Sequence, residues 1–167
     1  MTRSKGLGRA LVWIGSKRAL APRLVKIFPR HDTWVDLFGG AGHVTFAKTP
    51  ARREILNDLD RNLIGFYRKF TCKRVAACAR IRNVCSFAKG ARARIRKGSS
   101  DVCDQILARR FSIVGDVFGG MKTDECQVST PVSKKLVKEC PEIAARIRSL
   151  KLENLDFRAA FRKYDAP

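Results

Sequence analysis

Trp34-Val-Asp36-Leu-Phe38-Gly-Gly40-Ala-Gly42 is the stretch that decides the fold. A short apolar run enters a glycine-rich turn, which lets the backbone bend tightly and approach a ligand. The residues from Gly42 to Lys48 then predict a helix, ended by Pro50. Arg53 to Asn57 reads as a second strand, and Asp60 is placed to cap a helix carrying Leu63, Ile64 and Tyr67. Strand, turn, helix, strand, helix is the crossover unit of a parallel sheet, so the chain is read as α/β.

The same stretch suggests a ligand. Asp58 follows Asp36 by twenty-two residues and stands at the end of the second strand, where a carboxylate can accept both hydroxyls of a ribose. A dinucleotide turn would want glycine three residues past Gly42, and Thr45 stands there. Asp36 at the lip of the turn would repel a pyrophosphate but suit an ammonium or sulfonium, both present in S-adenosylmethionine. A plain turn or capping carboxylate is the competing reading of Asp36.

Working outward, Ser16 is expected to cap a helix over 17–27 with Leu20, Leu24 and Ile27 on one face. Residues 1–12 read as a basic arm or first loop. A cationic helical region is expected over 71–98, with a stripe of Val75, Cys78, Ile81 and Cys85. It runs into a basic loop over 89–100, in which Arg92, Arg94 and Arg96 alternate and, if extended, would follow a phosphate backbone. Ser100 or Asp101 caps a helix through Arg110. A loop or hairpin is expected over 115–131, helices over 132–138 and 142–149, a third strand over 150–155, and a helix from Asp156.

Charge sharpens the reading. Thirty-five Lys and Arg against fifteen Asp and Glu give +20, with no acid before Asp32. Between Arg61 and Ser100 twelve basic residues meet no acid. A polyanion explains such segregation better than a merely solvated face, because each phosphate neutralised releases counterions. Six cysteines without Cys-x-x-Cys spacing, and two histidines, argue against a metal site. Reduced, mostly buried thiols in a cytoplasmic, DNA-associated protein are expected. The apolar run from Ala10 to Gly15 is too short for a membrane span, so no membrane partner is expected.

Three motifs in order, Trp13-Ile-Gly-Ser-Lys17, Asp36-Leu-Phe38-Gly-Gly40-Ala-Gly42 and Asn57-Asp58, resemble the N-terminal portion of Dam-like adenine-specific DNA methyltransferases. The resemblance implies a Rossmann-like fold using S-adenosylmethionine, here an incomplete sheet with a basic, mainly helical insertion. It implies that Trp13 and Lys17 border the cofactor's methionine end, with Lys17 on its carboxylate and Trp13 against the methionine chain or sulfonium. Asp36, Phe38, Gly40, Gly42 and Asp58 inherit the other cofactor contacts. Asn154-Leu-Asp156-Phe157 resembles the family's third strand end, where Asp156 and Phe157 would flank the adenine; a helix N-cap at Asp156 is equally open. Leu37 replaces the family's usual proline, as in the turn of cytosine-C5 methyltransferases, but no Pro-Cys follows.

The family's insertion recognises double-stranded DNA, which assigns Arg82, Lys89, Arg92, Arg94, Arg96 and Lys97 to DNA contacts. Its Asp-Pro-Pro-Tyr catalytic segment is absent from these residues, and Tyr164-Asp-Ala-Pro167 resembles the linker before it. No catalytic residue is therefore assigned. The expected division is 1–66 for the first cofactor half, 67–135 for the insertion and 136–167 for the return to the α/β domain. The chain is expected to be inactive alone, as a truncated or split form completed by a second polypeptide. The alternatives are a non-catalytic basic nucleic-acid-binding remnant and an RNA methyltransferase.

Overall fold

The computed structural model describes residues 11–128 and 130–165, so most of the expected basic arm lies outside the described residues. Three parallel strands form the sheet: β1 (Thr33–Asp36), β2 (Arg53–Asn57) and β3 (Lys151–Glu153), in the order β1-β2-β3. Asp36 stands opposite Leu56, and Asn57 opposite Glu153. The central β2 is the apolar strand, with Ile55 and Leu56 wholly buried, as expected of a strand covered on both faces.

Parallel neighbours need crossovers. The first runs through α2 (His43–Ala47). The second runs through α3 (Arg61–Lys69), α4 (Cys72–Ala79), α5 (Val84–Arg96), α6 (Val102–Arg110), α7 (Thr123–Val128) and α8 (Lys134–Arg148). The helix α1 (Ala21–Ile27) precedes the sheet and α9 (Phe157–Tyr164) follows it. The largest buried cluster joins Leu56 and Ile64 to Val75 and Ile106 and to Leu136 and Ile143, so one core spans the sheet and helices from the expected insertion.

Capping explains the helices that were read correctly. The Asp60 carboxylate accepts from the Asn62 and Leu63 amides, and Asp101 does the same for Cys103 and Asp104. Asp156 accepts from the Arg158 amide at 2.9 Å, so the capping alternative describes its role.

Four expectations need correction. The first helix begins at Ala21 without a side-chain cap, because Pro22 lacks an amide hydrogen and fits only a first turn. Leu20 and Ile27 are exposed rather than packed. The basic loop over 89–100 is instead the second half of α5, which buries Ala88, Ala91 and Ile95 on one face. At about 100° per residue, Arg92 and Arg96 share one face of this helix and Arg94 turns away from them, so the three form no extended track. The region expected as a loop or hairpin over 115–131 does close through an antiparallel bridge from Ser112 to Met121, but it also contains the helix α7. The helices expected over 132–138 and 142–149 are one helix through Pro141, held by buried Leu136, Cys140, Ile143 and Ile147.

The thiols differ as well. Packing of α4 on α6 brings the Cα atoms of Cys78 and Cys103 to 5.2 Å, and the two are bridged. Cys72 and Cys140 are free. Burial, then a hydrogen bond with Cys72, pushes the Cys140 thiol up to about 12.

Candidate cofactor cleft

The strand ends carry the chemistry. Asn57 is 1% exposed, and its side chain ties the three strands together there. Its amide donates to the Leu37 and Leu155 carbonyls at 3.0 Å, and its oxygen accepts from the Leu155 amide at 2.9 Å. Asp58 follows directly. One of its oxygens accepts from the Gly40 amide at 2.8 Å and the other from the Asp60 amide at 2.9 Å. Each oxygen keeps a further lone pair for a ligand hydroxyl. The buried Tyr67 hydroxyl donates to the Gly40 carbonyl at 2.7 Å, fixing the turn from its other side.

Gly42 adopts a left-handed conformation, φ +68°, and delivers the chain into α2. The Trp34 indole donates to the Thr45 hydroxyl at 2.9 Å, and that hydroxyl donates to Asp36 at 2.7 Å. Burial pushes the Asp36 carboxyl above its ordinary value, while the Thr45 hydrogen bond and the Lys17 charge oppose the rise. At the far end of β2, Glu54 meets Lys48 at 2.6 Å and Arg146, all three being nearly buried. Burial raises the Glu54 carboxyl, but hydrogen bonds from Arg146 and Lys48 outweigh it and leave it below the usual range.

These elements enclose a cleft of about 500 Å³. Of the residues expected at the cofactor, Trp13, Lys17, Asp36, Phe38 and Gly40 line it, as does Asp58. Gly42 shapes the turn behind it. Asp156 and Phe157 do not line it: Asp156 caps α9, and Phe157 stands against Phe38 at a ring separation of 5.6 Å. The Arg109 guanidinium also lies 4.0 Å from the Trp13 ring centre, a cation–π contact within the protein.

Sequence reasoning missed Ser16, Trp34 and His43 as cleft residues. Ser16 and His43 are hydrogen-bonded at 3.1 Å, joining the first motif to the head of α2. Trp34 was noted as the start of a strand, and its strand position before Asp36 was the available signal. Nothing in the spacing of Ser16 and His43 announces their pairing.

The predicted DNA contacts separate into two kinds. Arg92 is buried and donates to the Gly119 carbonyl, Arg94 pairs with Asp104 at 2.6 Å, and Arg96 donates to the Val117 carbonyl at 2.9 Å. Arg82, Lys89 and Lys97 are exposed. Among the described residues no cluster of metal-ligating side chains occurs, and no helix is long and apolar enough to cross a membrane.

Residues 13–91 match the sequence model of the D12 class N6 adenine-specific DNA methyltransferases. Over that stretch the chain is similar to this family. The matched portion contains all three opening motifs and runs from the cleft through α3 and α4 into α5. The match indicates an adenine-specific DNA methyltransferase type, and methyltransferases of this family use S-adenosylmethionine. The mixed α/β fold with its small parallel sheet is compatible with that family. No curated protein matches the chain.

Proposed function

We propose that this chain is the S-adenosylmethionine-binding and DNA-binding part of a site-specific DNA adenine methyltransferase. The observation that carries the reading is the convergence of Lys17, Asp36 and Asp58 in one cleft at the ends of β1 and β2. Its volume of about 500 Å³ lies within the usual range for small-molecule sites, roughly 300–1,000 Å³. The donor set also fits the cofactor. Lys17 would hold the carboxylate, Asp36 would face the amino and sulfonium groups, and Asp58 would accept the ribose hydroxyls. Phe38, with Phe157 behind it, would border the adenine. When bound, S-adenosylmethionine supplies an electrophilic methyl group.

On this reading the division at 1–66, 67–135 and 136–167 separates cofactor, DNA and returning α/β segments. Arg82, Lys89 and Lys97 contact DNA phosphates. Arg94 and Arg96 add charge while tied to Asp104 and Val117, and Arg92 holds the fold together. The amine of an adenine needs an acceptor aimed at it, the role of Asp-Pro-Pro-Tyr in the family, and these residues contain no such segment. We therefore propose that these residues supply cofactor and DNA binding, and that methyl transfer also needs a segment of that kind. The site of action would be cytoplasmic DNA.

Titration calorimetry tests the cofactor step. The chain binds S-adenosylmethionine, and Asp58→Ala weakens binding at least about tenfold, the scale of one lost charge-assisted hydrogen bond. Absence of binding, with duplex DNA still bound, replaces the methyltransferase reading with that of a non-catalytic nucleic-acid binder. Preference for single-stranded RNA over duplex DNA moves the substrate to RNA.

A further inference from the structure

A second cleft, of about 250 Å³, shares Trp13 and Ile14 with the cofactor cleft as a common wall. Its other walls are the apolar or aromatic Val117, Ile95 and Phe118 and the buried Arg109, whose guanidinium lies on the Trp13 ring. Phe118 is 71% exposed and Ile14 is 53% exposed, although both face a concave site. The Arg96 guanidinium lies 5.6 Å from the Phe118 ring centre. Asp60, Asp116 and Asn62 supply the polar edge.

Those polar groups differ in how they are engaged. Asp60 caps α3 and lies 3.7 Å from Arg109, while Asp116 accepts from the Phe118 amide at 2.9 Å. Asn62 gives its backbone amide to Asp60, but among the described residues its side-chain amide makes no hydrogen bond. Arg109 is already engaged by Asp60, the Gln105 side-chain oxygen and the Gly115 carbonyl, and two carboxylates repel a phosphate, so the part of a polyanion that enters here is not its backbone. A neutral, planar group with both a donor and an acceptor on one edge matches an exposed aromatic ring beside a free carboxamide. Asparagine pairs in this way with adenine, whose amine donates and whose N7 accepts.

We propose that this cleft holds an unstacked purine of the bound DNA, stacked on Phe118 and read by Asn62. The Trp13–Ile14 wall keeps it apart from the base presented to the cofactor. This inference rests on the DNA-binding reading above.

Fluorescence anisotropy with the full chain tests it. The probes are an oligodeoxyadenylate of about a dozen nucleotides, a fully abasic oligomer with the same phosphates, and a duplex of equal length, the size suiting one single-strand site. Wild type binds the adenylate about 5-fold or more tightly than the abasic strand, the scale of one aromatic stack. Phe118→Ala, an exposed position whose change leaves the core intact, abolishes that preference and keeps the abasic affinity. Against an oligothymidylate of the same length as a further probe, Asn62→Ala narrows the preference for adenylate over thymidylate. An undiminished preference in Phe118→Ala overturns the proposal, as does a wild type that binds duplex yet ignores the bases. Failure to bind duplex or either strand instead removes the DNA reading and this site with it.

Discussion

Gly42 and Gly15 share a backbone conformation, φ +68°, but not surroundings, so alanine at each separates strain from packing. A methyl group at Gly15 meets nothing within 4 Å. At Gly42 it would stand 2.2 Å from the Phe46 ring, which is 2% exposed and enclosed by the core. Left-handed backbone costs an L-residue about 1–2 kcal/mol, partly offset by about 0.4–1 kcal/mol from a stiffer unfolded chain. Gly15→Ala should therefore lose about 1 kcal/mol or less. Gly42→Ala carries the same strain, and moving a buried ring adds about 1–3 kcal/mol. Urea denaturation should place Gly42→Ala about 1–3 kcal/mol below Gly15→Ala, with melting temperatures separated by roughly 2–10 °C. Equal stabilities, within about 0.5 kcal/mol, would refute the claim that the turn closes directly onto Phe46.

Glu54→Gln leaves Lys48 and Arg146 beside a neutral group, and should cost about 3–5 kcal/mol in chemical denaturation. Because the folded Glu54 carboxyl lies below 4.5, its stabilisation is complete above that pH and is lost as pH falls through the folded value; the variant lacks this acid-sensitive step. Asp36 has the opposite sign, its folded value lying above 3.8, so its ionisation without a ligand favours unfolding as pH rises. S-adenosylmethionine affinity should rise with pH through that window, and Asp36→Asn should bind weakly without that rise, as calorimetry across pH would show. Breaking the Cys78–Cys103 bridge opens a 25-residue separation and should cost about 3–4 kcal/mol; unchanged melting in Cys78→Ser would contradict this.

The motifs around the turn were legible because their chemistry is local. Gly42, the β2 run and the Asp60 cap each rest on neighbouring residues, and each was found where expected. The basic segment misled for a physical reason. Alternating Arg92, Arg94 and Arg96 suggested an extended strand, but Ala88, Ala91 and Ile95 had a burial partner in α6, and that packing decided for a helix. Asp104 and the carbonyls of Val117 and Gly119 then engaged the guanidiniums. No spacing in the sequence forecasts such partners. Asp156 and Phe157 show the same limit: the cap was readable, but not that Phe157 would stand against Phe38 rather than line the cleft.

The sequence by itself determined the strand–turn–helix order, the acid following the second strand, and the family resemblance of residues 13–91. These follow from backbone sterics and short-range hydrogen bonding. Tertiary structure alone decided that Arg109 covers Trp13, that Ser16 joins His43, that Asn57 ties three strands, and that a second cleft opens beside the first. Each depends on atoms brought together by burial of a common core, and burial is a property of the whole chain.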